Sequence, residues 1–365
     1  CKRLITTTNL KSQIPTSNLQ PPTSNLQPLT SNLQFPTPMP QITLIGLGRI
    51  GASIGLALKR NPAAKLLVVG HDRDISIAKQ AQARGAVDRA DWNLPNACEN
   101  ADAILMCVPL SELRTALQEM ASFAKAGCVI CDTAQVKAPV LQWADELIPA
   151  ERYFVGGTPI LNPAFLHDGL TGVDAARPDL FDGGLWALVP HGDAPEGALK
   201  LISDLTRLVG AKPFFIGAEE HDALMAGTST LPALAAAALI RAVSNSAGWA
   251  DARKLADRAF ATATASASFV SPTALRAAAV LNPSSTLHYL DALIDQLNAL
   301  RKAIADRDET ALDAMLKEAA LARELWLKKR GESDWEAEES PKTEMPTVRQ
   351  MMGQMIGLGG RKKKN

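Results

Sequence analysis

The segment Gly46-Leu47-Gly48-Arg49-Ile50-Gly51, with Asp72 further along, has the spacing of a dinucleotide-binding turn. In such a turn Gly46 permits the tight bend and Gly48 lets the backbone approach a pyrophosphate. Gly51 allows close packing of helix on strand, and Arg49 and Ile50 open a helix whose N-terminal amides attract phosphate. Asp72 is expected to accept hydrogen bonds from ribose hydroxyls. Its charge would repel a 2′-phosphate, whereas Arg73 would pair with one, so NAD is the expected cofactor and NADP the alternative. Val108 and Pro109 in Cys107-Val108-Pro109-Leu110 are placed at the nicotinamide side, although a structural turn would read the same. No metal site is expected. Cys98, Cys107, Cys128 and Cys131 sit in or beside apolar runs such as AILMCV and GCVICD, which suits reduced, buried thiols in a cytoplasm.

These residues need a scaffold of strands and helices, and the chain text supplies one from Ile42 onward. ITLIGLG, KLLVVGHD, DAILMCVP, GCVICD, YFVGG and GLWALVP read as strands, with helical stretches near 75–84, 111–125, 136–146 and 194–209. This alternation predicts an α/β fold: a Rossmann-type NAD(P)-binding domain over 41–217, built on a largely parallel sheet with both faces covered. After KPFFIG the strands stop. The alanine- and leucine-rich text that follows predicts an all-helical dimerisation and substrate domain over 218–330, whose stretch 231–243, apolar nearly all round, suits burial between helices or subunits.

The ends differ in character. Thr-Ser-Asn-Leu-Gln recurs at 16–20, 23–27 and 30–34 with prolines between, so 1–40 is expected to be a disordered repeat tail. Cys1 in place of Met, with no apolar signal core, is expected of a fragment or a misassigned start. Residues 331–365, acidic and then Met-rich and basic, are expected to form a second disordered tail.

Here the chain resembles the prephenate/arogenate dehydrogenase family, which makes tyrosine precursors. The residues carrying the resemblance are GLGRIGASIGLALK with GHDRD, then DAILMCVP, CDTAQVK, YFVGGTP and DLFDGGLWALVP, and His221-Asp222 opening the helical domain. The resemblance implies a substrate cleft between the domains and NAD(P)-dependent oxidative decarboxylation of a cyclohexadienyl substrate, prephenate or arogenate. It also exposes departures. Thr158 stands where members read His in Gly-Gly-His-Pro, and Gln135 where they read Ser in Asp-x-x-Ser-x-Lys. Ser229-Thr230-Leu231-Pro232-Ala233 replaces Ser-His-Leu-Pro-His. Thr158 and Gln135 therefore inherit the catalytic positions, with His167 as a compensating group from the following loop. His221, which relatives share, is expected either to line the substrate site or to cap the helix. Arg276, near a Thr-Arg segment of relatives, is the expected carboxylate clamp. Threonine cannot hold a proton near neutral pH as imidazole does, and general acid–base help is worth about 10²–10⁴ in rate.

Composition bounds the partners. The 365 residues carry 38 basic and 38 acidic side chains, so no overall basic field favours nucleic acid or an anionic membrane. No apolar run of the roughly 18 residues that a membrane span needs is expected. A small-molecule substrate and a homodimer are expected. The rival expectations are a dehydrogenase or reductase for another small hydroxy or imino acid, and a catalytically silent NAD-binding homologue.

Overall fold

The structure, a computed structural model, describes residues 39–192 and 194–332; the expectations for the two tails fall almost wholly outside them. The α/β part runs β1 (Gln41–Ile45), α1 (Arg49–Lys59), β2 (Leu67–His71), α2 (Ile75–Ala83), β3 (Arg89–Ala90), α3 (Leu94–Cys98), β4 (Ala103–Met106), α4 (Leu110–Met120), β5 (Val129–Asp132), α5 (Ala138–Leu147), β6 (Tyr153–Pro159), β7 (Leu185–Pro190), α6 (Glu196–Leu208) and β8 (Lys212–Phe215). One sheet results, in the order β3-β2-β1-β4-β5-β6-β7-β8. Its pairings are parallel except β6 with β7, which is antiparallel. The order reverses between β1 and β4, and the strand ends flanking that reversal form the crevice where doubly wound sheets hold ligands.

Alternate side chains leave opposite faces of a strand, and both faces of β1 are covered. Ile42 and Leu44 enter a core with α1 and α6, whereas Ile45 joins Ile104, Met106 and Leu113 on the other side. This explains why the strands are apolar without alternation. The same geometry settles the cysteines. Cys128 and Cys131 have C-x-x-C spacing, but Cys128 belongs to the α4 side and Cys131 to the α1 side. Burial pushes the Cys98 and Cys128 thiols up to about 12 and raises that of Cys131 as well. No group of His, Cys, Asp and Glu suited to a metal occurs among the described residues.

The helical part comprises α7 (Ala218–Met225), α8 (Leu231–Ser244), α9 (Trp249–Leu255), α10 (Arg258–Thr264), α11 (Pro272–Leu281), α12 (Pro283–Asp306) and α13 (Glu309–Glu332). A π-helical turn, Ala226–Thr230, joins α7 to α8. Pro232 lies two residues beyond it; proline lacks an N–H and crowds the preceding turn, and widening the helix accommodates both. Gly227 in that turn lies against Tyr289 of α12, where a Cβ would stand 2.7 Å from the ring.

The joined helix corrects one expectation. Ala218–Ser244 is continuous over 27 residues and, by length and composition alone, apolar enough to cross a membrane. Its first turns are nonetheless tied to the α/β part through Asp222, which accepts hydrogen bonds from the backbone at the start of α5. Leu239 and Ile240 on α8, Leu297 and Ile304 on α12, and Leu321 and Trp326 on α13 are exposed.

Candidate active site

The glycine turn follows β1 directly. Gly46 has φ +89°, a conformation natural to glycine, and a Cβ there would stand 2.6 Å from the Cys107 carbonyl oxygen. At Gly51 a Cβ would lie 1.9 Å from the Gly46 carbonyl, so this glycine lets α1 close on its own turn. Gly48, the N-cap of α1, is different: a Cβ there meets nothing within 4 Å. Open space therefore faces the positive end of the helix, where a pyrophosphate would lie.

Asp72 follows the end of β2. Its Oδ2 accepts the Leu47 amide at 2.7 Å and its Oδ1 accepts the Asp74 amide at 2.9 Å. The carboxylate thus braces the glycine turn and is fixed where ribose hydroxyls would meet it. Arg73 pairs with Glu112 in the first turn of α4 at 3.3 Å. Around these groups lies a cleft of about 490 Å³, lined by Gly46, Gly48 and Ile50, by Asp72 and Arg73, by Cys107 to Leu110, and by Thr133 to Gln135. The volume and mixed lining suit a nucleotide and a small substrate. These residues fit a dinucleotide.

The far wall belongs to the helical part, which contributes Phe269, Val270, Ser271, Ala274 and Ala278. Ser271 caps α11, its hydroxyl accepting the Ala274 amide at 3.2 Å. The sequence marks none of these wall residues, nor Glu112 or Thr133, as part of a site. The Ser271-Pro272 start signal could have located α11, but not its distance from the glycine turn.

Below the cleft floor lies a buried polar network. Lys137 and Asp132, both wholly buried, pair at 2.5 Å, and Lys137 Nζ also donates to the Ala134 carbonyl at 2.7 Å. The other Asp132 oxygen accepts the Gly157 amide at 2.9 Å. Thr158 Oγ1 donates to the Ala134 carbonyl at 2.6 Å and lies 2.9 Å from Nε2 of His221. His221 Nδ1 lies 2.9 Å from Asp222 Oδ1, and the Asp222 carboxylate accepts the Lys137 and Ala138 amides at 2.6 and 2.9 Å. With the Thr158 proton directed at the Ala134 carbonyl, Oγ1 keeps its lone pairs for Nε2 of His221. The network grips the loop that turns Gln135 into the cleft.

The remaining sequence candidates are placed as follows. Arg49 does not face the glycine turn: its guanidinium holds Asp168 at 2.8 and 2.5 Å and the Leu170 carbonyl at 2.6 Å. Val108, Pro109 and Gln135 line the cleft. Thr158 and His221 are buried beneath it. His167 is exposed on the loop after β6 and is not among the cleft-lining residues. Arg276 is exposed on α11, about 200° around the helix from Ala274, which faces the cleft.

The comparisons with known proteins meet this geometry. The model for the nucleotide-binding domain of prephenate dehydrogenase matches residues 54–214, and that for the prephenate dehydrogenase dimerization domain matches residues 217–318. The chain belongs to the prephenate dehydrogenase family. Cyclohexadienyl dehydrogenase of Zymomonas mobilis is 29% identical over 286 residues, covering 77% of this chain and 94% of that protein. Prephenate dehydrogenase of Bacillus subtilis is 29% identical over 280 residues, covering 76% and 74%. The crystal structure of prephenate dehydrogenase from A. aeolicus, in complex with hydroxyphenyl propionate and NAD+, shares the fold with a TM-score of 0.69 at 22% identity, covering 79% of this chain and 99% of that one. Within this prephenate dehydrogenase family fold, the boundary between the two matched domains lies at the turn from β8 into α7.

Proposed function

We propose that this chain is an NAD-dependent oxidoreductase that oxidatively decarboxylates prephenate or arogenate in tyrosine biosynthesis, as a cytoplasmic homodimer. One observation carries the reading: the glycine turn, the braced Asp72 and the Thr133–Gln135 loop line one cleft closed by the helical part. Similarity to cyclohexadienyl and prephenate dehydrogenases over three quarters of the chain supports the substrate class. The exposed apolar residues of α8, α12 and α13, in a region matching a dimerization domain, support the homodimer. Buried, unpaired thiols support a reducing compartment.

The chemistry removes a hydride from the ring carbon bearing the hydroxyl, and the carbon–carboxylate bond then gives its electron pair to the ring as carbon dioxide leaves. When bound, the nicotinamide supplies the hydride acceptor. The chain's own part is to position and to polarise. Gly46, Gly48 and the α1 amides bind the phosphates, Asp72 takes the ribose, and Val108 and Pro109 line the nicotinamide side. Gln135 and Thr133 present hydrogen-bonding groups to the ring hydroxyl. Beneath them Thr158, His221 and Asp222 hold the loop and supply the imidazole nearest the family's histidine position.

A second reading has its own observation. The charged residues lining the cleft, among those described, are Asp72, Arg73, Glu112 and Glu119, from the adenosine-side elements after β2 and on α4. The wall at Thr133 and Gln135 is uncharged, which favours a related hydroxy or imino acid with fewer carboxylates. A spectrophotometric screen for NAD+ reduction with prephenate and arogenate separates the readings. Turnover supports the first, and none on either, with turnover of another small hydroxy acid, selects the second.

A further inference from the structure

We propose that Glu112 sets the dinucleotide preference of this cleft by holding Arg73 away from a ribose 2′-phosphate. The inference rests on the dinucleotide reading of the cleft. Arg73 follows Asp72 after β2, where a 2′-phosphate would arrive, and its guanidinium is the group that would receive one. Glu112 engages it at 3.3 Å from the first turn of α4, across the cleft that both residues line. Asp72 does not stand in for Glu112, because the Leu47 and Asp74 amides pin its carboxylate toward the glycine turn. A 2′-phosphate must therefore displace one carboxylate from Arg73 while lying beside another, whereas a free ribose hydroxyl meets Asp72 and leaves the pair intact. Glu119 lines the same cleft from α4 but has no ion pair with Arg73, which provides a control of equal charge.

The test is calorimetric titration of the full chain with NAD+ and with NADP+, at low and at high ionic strength. Glu112→Gln should tighten NADP+ by about three- to fivefold, the scale of an exposed charge pair, and leave NAD+ nearly unchanged. Adding Arg73→Gln should abolish that gain, and raised salt should shrink it. Glu119→Gln should give a smaller change. Two results would overturn the proposal: NADP+ affinity unmoved by Glu112→Gln, or an equal gain from Glu119→Gln, which would mean general charge and not the release of Arg73. If neither nucleotide binds the unmodified protein, the dinucleotide reading itself is overturned, a failure distinct from an unchanged ratio between two nucleotides that do bind. All three substituted side chains are exposed, so folding is not at stake.

Discussion

Thr158 Oγ1 and His221 Nε2 stand 2.9 Å apart, joining the end of β6 to the first helix of the helical part. The resemblance noted in the sequence implies a histidine at position 158; here threonine stands there, with its hydroxyl against the His221 ring. Restoring the family residue is therefore not a simple exchange. Thr158 is 3% exposed and His221 2%, so an imidazole at 158 would collide with the one already there. Thr158→His alone should cost about 1–3 kcal/mol by overpacking and gain no turnover, whereas Thr158→His with His221→Ala should recover stability and raise kcat on prephenate or arogenate. Melting temperature with steady-state kinetics checks this. A single variant that melts normally and turns over faster would refute the crowding argument.

Gly48 and Gly51 should separate by assay. Gly48→Ala adds a methyl where nothing lies within 4 Å, so the melting temperature should hold while dinucleotide affinity falls roughly tenfold, since each 1.4 kcal/mol of lost contact is tenfold. Gly51→Ala drives a carbon into the Gly46 carbonyl and should lower the melting temperature itself. Calorimetric titration and thermal melts on both variants decide it; equal thermal loss would show that the space before Gly48 is not a phosphate seat.

Much of this site was legible in the residues, and the limit was distance. Gly46 to Gly51 and Asp72 act within one strand-turn-helix-strand unit, so spacing alone located them. Arg49 opens α1 and its amide is legible there, but the partner of its side chain, Asp168, lies 119 residues away in a loop without period. Arg276 was legible as a helical arginine, but which face of α11 turns to the cleft depends on packing of that helix against α4. Phe269 and Ser271 reach the site only through the fold of the helical part. Strand β3, two residues long, carries no apolar run to announce it.

Lys137 and Asp132 form a wholly buried ion pair, and breaking such a pair leaves a charge without compensation. Lys137→Met should destabilise the protein by about 3–5 kcal/mol, and adding Asp132→Asn should restore part of the loss. Chemical denaturation of the three proteins measures it. A Lys137→Met protein as stable as the unmodified one would mean that the Asp132 charge is satisfied by its backbone donors alone.

The Arg49–Asp168 pair should show in the pH dependence of stability. The Arg49 guanidinium, aided by the Leu170 amide, holds the Asp168 carboxyl below its ordinary value against the opposing effect of burial. A depressed folded-state value means that the contribution is complete above the unfolded value of about 3.9 and is lost as pH falls through the folded one. The melting-temperature gap between the unmodified protein and Asp168→Asn should thus be full near about pH 6 and close below about pH 4. A gap constant across that range would remove the charge from the account.

The most direct test of the account is single-turnover chemistry on the unmodified chain: NAD+ and prephenate or arogenate are mixed with the protein, and reduced nicotinamide and released carbon dioxide are measured together. The account predicts the two products in equal amounts, with Gly48→Ala suppressing both. Reduction without carbon dioxide, or neither product while NAD+ binds tightly, would contradict it.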